Sequence, residues 1–265
     1  MASVRVEDVY RFLQQKAPFE LQMEFDNAGF LVGRSGQEVH RILIALDITE
    51  EVIREAVEYS AQLIVSHHPV IWGGAKSVTD QTLMGRKLLA LAENHIAAIC
   101  AHTNLDAVAG GVNDALALRL GLTDVEQLHQ DGVDAAGRPY GIGRVGLVPR
   151  QNLYDFAQGV RALLGSRGLR LVDGGRPVHK VAVGGGACAG MVADVLAKGC
   201  DTFVTADVKY DGFLDARAQG LNLIDAGHFP TEQVVCPVLQ GWLSKQFPQL
   251  TVDISRRHQE VFSYL

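Results

Sequence analysis

Short runs of four or five apolar residues alternate along this chain with segments of helical spacing, and several of the runs stop abruptly at a histidine or an acid. Arg41-Ile42-Leu43-Ile44-Ala45-Leu46-Asp47, Leu63-Ile64-Val65 and Ile96-Ala97-Ala98-Ile99-Cys100 are too short for helices and read as buried strands. Between them, Val52, Ile53 and Ala56 recur at helical spacing after Thr49 and Glu50, and residues 82–93 and 112–120 repeat that pattern. At the N-terminus, Val6, Val9, Phe12 and Leu13 predict an amphipathic helix that Pro18 closes. Gly29 and Gly33 then bracket a short strand behind the turn at Asp26-Asn27.

The second half follows the same plan. Residues 144–148 and 169–172 read as strands around a helix that Asn152 caps and that runs through Leu164. Three further strands, at 180–183, 202–205 and 221–224, alternate with helices. The helix that begins at Glu232 continues through Lys245, and residues 251–255 form a last strand.

Strand and helix in alternation predict an α/β chain of two similar lobes, with mainly parallel sheets flanked by helices. Polar, glycine-punctuated residues 123–139 suit a lobe boundary or long connection, so the expected division is 1–125 and 126–265. The likeness of the halves is one of elements, not of residues.

Composition narrows the class. With 265 residues, 48% of them hydrophobic, the chain can bury a large core, and its net charge of -6 gives no basic footprint for dedicated nucleic-acid binding. Residues 1–8 lack a basic segment followed by an apolar one, and no apolar run reaches membrane-spanning length. A cytoplasmic protein is expected. Cys100, Cys188, Cys200 and Cys236 show no Cys-x-x-Cys spacing and read as reduced, mostly buried small hydrophobes.

Chemistry gathers at the strand ends. Nine histidines in 265 residues would give roughly 0.3 His-His pairs by chance, so His67-His68 alone carries little weight. Parallel strands aim their tips at one edge, however, and the tips supply His67, His68, His102, Asp106, His228 and Glu232. His228 and Glu232 stand four apart at a loop-to-helix junction, a spacing that puts both on one helical face. This is more than one tetrahedral ion needs, and it predicts a two-metal site where the lobes face each other. With no thiolate nearby, zinc, iron, manganese, cobalt and nickel all suit the donors. Two such ions activate water, so hydrolysis is the chemistry that follows.

His40, His95, His129, His179 and His258 lie outside the cluster and read as structural. A competing motif, Gly184-x-Gly186-x-x-x-Gly190 with Asp207 beyond the next strand, approaches a dinucleotide fingerprint. Its glycines suit a tight strand-to-helix turn equally well, and it accounts for none of the histidines.

Taken in order, Phe25-Asp26-Asn27 with Gly29 and Gly33, Ser66-His67-His68-Pro69, His102-Thr103-Asn104-Leu105-Asp106 with Gly110-Gly111-Val112-Asn113-Asp114, Gly184-Gly185-Gly186 and Gly227-His228-Phe229-Pro230-Thr231-Glu232 resemble the Nif-three-like family over nearly the whole chain. Its members are also called GTP cyclohydrolase I type 2 homologs or dinuclear metal centre proteins. The resemblance implies a two-lobed subunit in a toroidal homohexamer, with the metal site facing an internal cavity. It implies that His68 and Asp106 hold one ion, that His67 and His228 hold the other, and that Glu232 bridges both. The chain has no room for the domain that longer relatives insert between the lobes. Where the family often has Gly-Asp followed by a Tyr-His pair, this chain has Ala206-Asp207 and Tyr210-Asp211, so a proton-transfer role attached to that histidine has no bearer here.

The expected activity is that of a dinuclear metal-dependent hydrolase for a small molecule, with opening of the GTP imidazole ring as the named chemistry and His102 as proton shuttle. Two alternatives remain. One is a non-catalytic, metal-stabilised hexamer that binds a regulatory ligand or partner; the other is a hydrolase of phosphate esters or amides.

Overall fold

The computed structural model describes residues 3–265; Met1 and Ala2, where the N-terminal reading began, lie outside the described residues. The chain divides into two compact units, one built from the residues up to Leu105 together with Cys236–Gln259, the other from Asp106–Val235 with Glu260–Leu265. The chain thus leaves the first unit twenty residues earlier than the expected boundary and later returns to it.

In the first unit, a five-stranded sheet has the order Thr251–Ile254, Arg41–Ala45, Leu63–Ser66, Ala97–Cys100, Gly29–Val32. The first four strands are parallel and the last is antiparallel. Leu43, Ala45, Ile64, Ala98 and Cys100 point to one face and pack with Val52, Ile53 and Ala56 of the Glu50–Glu58 helix and with Leu88 and Leu91 of the Leu83–Glu93 helix. The side-chain period of two turns the intervening residues the other way. There the Cys236–Gln246 helix contacts strands 251–254 and 41–45, and Phe12 of the N-terminal helix meets Phe247 edge-on at 5.7 Å. Both Thr49 and Thr82 cap their helices through the side chain.

The second unit holds a six-stranded sheet in the order Arg170–Val172, Asn222–Asp225, Thr202–Thr205, Val178–Val183, Arg144–Gln151, Thr123–Gln127. Its three central strands, 178–183, 202–205 and 222–225, are parallel, and antiparallel strands extend them on both sides. Helices cover both faces. Val181, Val183, Val204 and Ile224 pack with the Leu153–Leu164 helix and with Leu116 and Ala117, whereas Ala182, Phe203 and Leu223 pack with Val195 and Ala216 on the opposite side.

The polar stretch 123–139 is not a connection between lobes. Residues 123–127 form an edge strand with Thr123, Asp124, Val125 and Glu126 exposed, and 132–133 pair with 139–140 in a small hairpin. An edge strand facing water needs no apolar alternation, and charge on it discourages pairing with another chain. Among the described residues, no helix is long and apolar enough to cross a membrane. Cys100, Cys188 and Cys200 are free thiols.

Two stability measurements check this packing. Phe203 is wholly buried, and Phe203→Ala should cost about 3–5 kcal/mol in denaturant unfolding. Glu55 accepts from the Ser255 hydroxyl and from the backbone N–H groups of Arg256 and Arg257. Burial pushes its pKa up, but these bonds outweigh it and leave the pKa below the ordinary 4.5. Because the folded value is the lower one, the contribution is complete above 4.5 and lost as pH falls through the folded value. Glu55→Gln should therefore lower the melting temperature at pH 7, with the gap closing in acid; an equal gap at pH 3 would contradict this assignment.

Candidate metal centre

In the first unit the parallel strands deliver their chemistry to one edge. Strand 63–66 ends in His67 and His68, strand 97–100 is followed by His102, and strand 41–45 by Asp47. The ligand nitrogens of His67, His68 and His102 lie within 4.8 Å of one another, with His67 fully buried and His68 and His102 mostly so.

What aims the rings is a set of oxygen acceptors behind them. The Nδ1 of His67 lies 2.8 Å from the Ala101 carbonyl, that of His68 2.8 Å from Asp47 Oδ1, and that of His102 2.8 Å from Asp26 Oδ1. A carbonyl or carboxylate oxygen cannot donate, so each Nδ1 carries the proton and the neutral ring keeps its lone pair on Nε2. This is the outer-shell pattern that orients metal-bound histidines and makes them more basic. Asp26, whose side chain has no exposed surface, also accepts from the Thr103 N–H and hydroxyl. Burial pushes its carboxyl up, yet the His102 and Thr103 hydrogen bonds bring it down to about 2. Asp47 is held well below the carboxylate range: burial opposes the charge, and hydrogen bonds from His258 and His68 outweigh it.

The second unit repeats the device. Behind strands 202–205 and 222–225, His228 donates from Nδ1 to Asp207 Oδ2 at 2.7 Å, and its Nε2 lies 3.0 Å from Glu232 Oε2. Gly227 at φ +89° starts the His228–Glu232 helix, and Pro230 fits its first turn, where no backbone donor is needed. The i, i+4 spacing then sets His228 and Glu232 on one face.

Burial opposes charge on His228, but Glu232 and Asp207 raise its pKa to about 9. A place that holds positive charge between two carboxylates suits a cation that displaces the proton. Asp106 is buried in the Thr103–Ala107 helix, and its carbonyl accepts from Asn113 Nδ2 at 2.9 Å. Burial, Asp106 and Glu232 together push the Cys188 thiol far above its ordinary pKa, and burial raises Cys100 and Cys200 to about 11. The donor set is therefore imidazole and carboxylate, which fits borderline divalent ions.

The glycines at 184–186 serve packing. A Cβ on Gly186 would stand 2.0 Å from Glu232 Oε1 and 3.2 Å from His228 Nε2, and Gly186 sits at φ +63°. Its N–H donates to Thr231 Oγ1, while the Gly185 N–H donates to Asn113 Oδ1. This turn is thus a floor under the Glu232 carboxylate, and the helix after it spans only Val192–Ala197.

The sequence does not single out Asp26, Asp47 and Asp207 as histidine partners. His258, expected to be structural, has Nε2 2.8 Å from Asp47 Oδ2 and a nearly buried side chain. Asp47 and Asp207 each follow a strand end, so the signal that found the histidines also marked these acids. Asp207 has a left-handed backbone, φ +53°, a conformation that aspartate tolerates.

A family model described as Duf34/NIF3 (NGG1p interacting factor 3) matches residues 4–260. The chain belongs to the DUF34/NIF3 family. A Clostridium perfringens protein named GTP cyclohydrolase 1 type 2 homolog is 36% identical over 268 residues, covering 99% of this chain and all of that one. Among solved structures, a Staphylococcus aureus protein is 28% identical with a TM-score of 0.92 over the whole of both chains. A Bacillus cereus protein related to NIF3 shares the fold at a TM-score of 0.93 and 24% identity, again over both full chains.

Because Gly186 leaves the space that the Glu232 carboxylate fills, Gly186→Ala should weaken zinc binding by roughly 10–100-fold in calorimetric titration. Unchanged affinity would show that this floor does not set the carboxylate.

Proposed function

We propose that this DUF34/NIF3 member is a hydrolase that works with two divalent metal ions held by His67, His68, Asp106, His228 and Glu232, and that its substrate is a purine nucleotide such as GTP. The observation that carries the metal reading is the pairing of Nδ1 of His67, His68 and His228 with an oxygen acceptor, which leaves Nε2 as the ligand atom in each. By the family resemblance, His68 and Asp106 would hold one ion, His67 and His228 would hold the other, and Glu232 would serve both. Zinc, iron, manganese, cobalt and nickel all suit these donors. The substrate class rests on the shared name of the curated relatives.

When bound, a pair of such ions lowers the pKa of water from about 15.7 toward neutrality and stabilises a developing oxyanion. The residues of the chain supply the rest. Buried His67 keeps bulk water from the floor of the site, while Asp47 and Asp207 fix the tilt of His68 and His228. His102 is the proton carrier. Its Nδ1–H is tied to Asp26, so Nε2 is the atom that takes a proton, and the Asp26 carboxylate, held at about 2, stays charged to stabilise the imidazolium. We place this activity in a homohexamer, as the resemblance implies, and in the cytoplasm.

Metal-loaded protein incubated with GTP should yield the imidazole-opened product, detected by mass spectrometry. His102→Ala should lower its rate by about 10²–10⁴-fold while retaining bound metal. His68→Ala should remove turnover with the oligomer intact. Fully loaded protein that leaves GTP and other purine nucleotides untouched would contradict the substrate, and loss of assembly in His68→Ala without any wild-type turnover would favour a structural role for the metals.

A further inference from the structure

Two large aromatic side chains stand in solvent beside the histidine cluster of the first unit. Phe25 is 64% exposed and Trp72 56% exposed, although the chain around them is buried at Ala28 and Val70 and the Asp26 side chain is wholly covered. They are neighbours, with ring centroids 6.3 Å apart and planes inclined at 49°. Trp72 in turn meets His102 edge-on, 5.4 Å between centroids, and His102 lies within 5.3 Å of both His67 and His68. An unbroken line of rings therefore runs from Phe25 to the candidate ligands.

Hydrogen bonds anchor the turns that carry both aromatics. Asp26 is anchored to His102 and Thr103, and Asn27 Nδ2 donates to the Ile71 carbonyl at 2.8 Å, which ties the Phe25 turn to the residue before Trp72. Gly73 and Gly74, both left-handed, turn the chain away directly after Trp72, and a Cβ at either would meet nothing within 4 Å. Exposed aromatics held this firmly beside a polar cluster are a recognition surface and not a stray patch.

We infer that Phe25 and Trp72 form a stacking platform for the planar heteroaromatic ring of the substrate, presenting that ring to His102 and the His67-His68 edge. The geometry excludes a ring clamped between them. Two van der Waals layers need roughly 7–8 Å, and 6.3 Å with a tilt is already filled by the pair's own contact. The ring must lie against the outer face of the platform. Only the choice of a purine as that ring rests on the function proposed above; the platform itself is read from the aromatics.

The chain has two tryptophans, so a Trp242→Phe background leaves Trp72 as the sole indole reporter. Metal-loaded protein in this background is titrated with guanosine, with GTP and with ribose 5-phosphate, and wild-type, Phe25→Ala, Trp72→Ala and Trp72→Phe proteins are compared by calorimetry. Guanosine and GTP should quench Trp72 saturably, and ribose 5-phosphate should not. Each alanine variant should weaken guanosine binding about tenfold, Trp72→Phe should restore most of it, and metal content should stay unchanged throughout. Base–aromatic stacking worth about 1–3 kcal/mol per base sets that scale. If GTP binds as well to the alanine variants as to wild type, the platform is wrong while the purine reading stands. If guanosine quenches and the variants weaken it but GTP is never hydrolysed, the platform stands and the hydrolase reading falls. If loaded wild type binds neither guanosine nor GTP, both fall.

Discussion

A proton fixed on Nδ1 governs the candidate ligands of each unit. Four histidines from strand tips each give that proton to an oxygen: the Ala101 carbonyl for His67, Asp47 for His68, Asp26 for His102 and Asp207 for His228. Imidazole is symmetric enough to bind or donate from either nitrogen, and without those acceptors the rings would be free to flip. The fold sets carboxylates against the rings to prevent it, Asp26 with a fully covered side chain and Asp47 and Asp207 partly exposed. Asp26 and Asp47 are desolvated, a state that would raise their pKa, and they remain ionised because the histidine hydrogen bonds outweigh burial.

The glycine turn at 184–186 belongs to the same economy of space. Read as a motif, it approaches a phosphate-binding fingerprint; in the structure its missing Cβ is room for the Glu232 carboxylate, and its N–H groups are taken by Thr231 and Asn113. Asn113 also accepts this task from the other side, donating to the Asp106 carbonyl. A single amide thus links the segment that carries one candidate carboxylate to the turn that shapes the seat of another.

Much of this was legible in the chain because strand tips have a simple signature: a buried apolar run that ends in His67-His68 or precedes His102 has few other readings. The helix cap at Asn152 was equally local. Long-range pairing was not. Strand 251–254 reads as a strand from its own residues, but nothing in them says that it pairs with strand 41–45, two hundred residues earlier. Edge strand 123–127 hid for a different reason, since solvent on its outer side removes the alternation that marks a strand. Asp47 and Asp207 escaped because an acid after a strand is common, and Asp26 because an acid in a turn is; only the ring nitrogen 2.7–2.8 Å away gives the three their meaning.

The proposed centre takes two ions. Elemental analysis of the purified, metal-resupplied protein tests this most directly. It predicts about two divalent ions per chain, with both reduced in Glu232→Ala because the bridge serves each of them. One ion or fewer in the resupplied wild type, or two ions retained by Glu232→Ala, would contradict it.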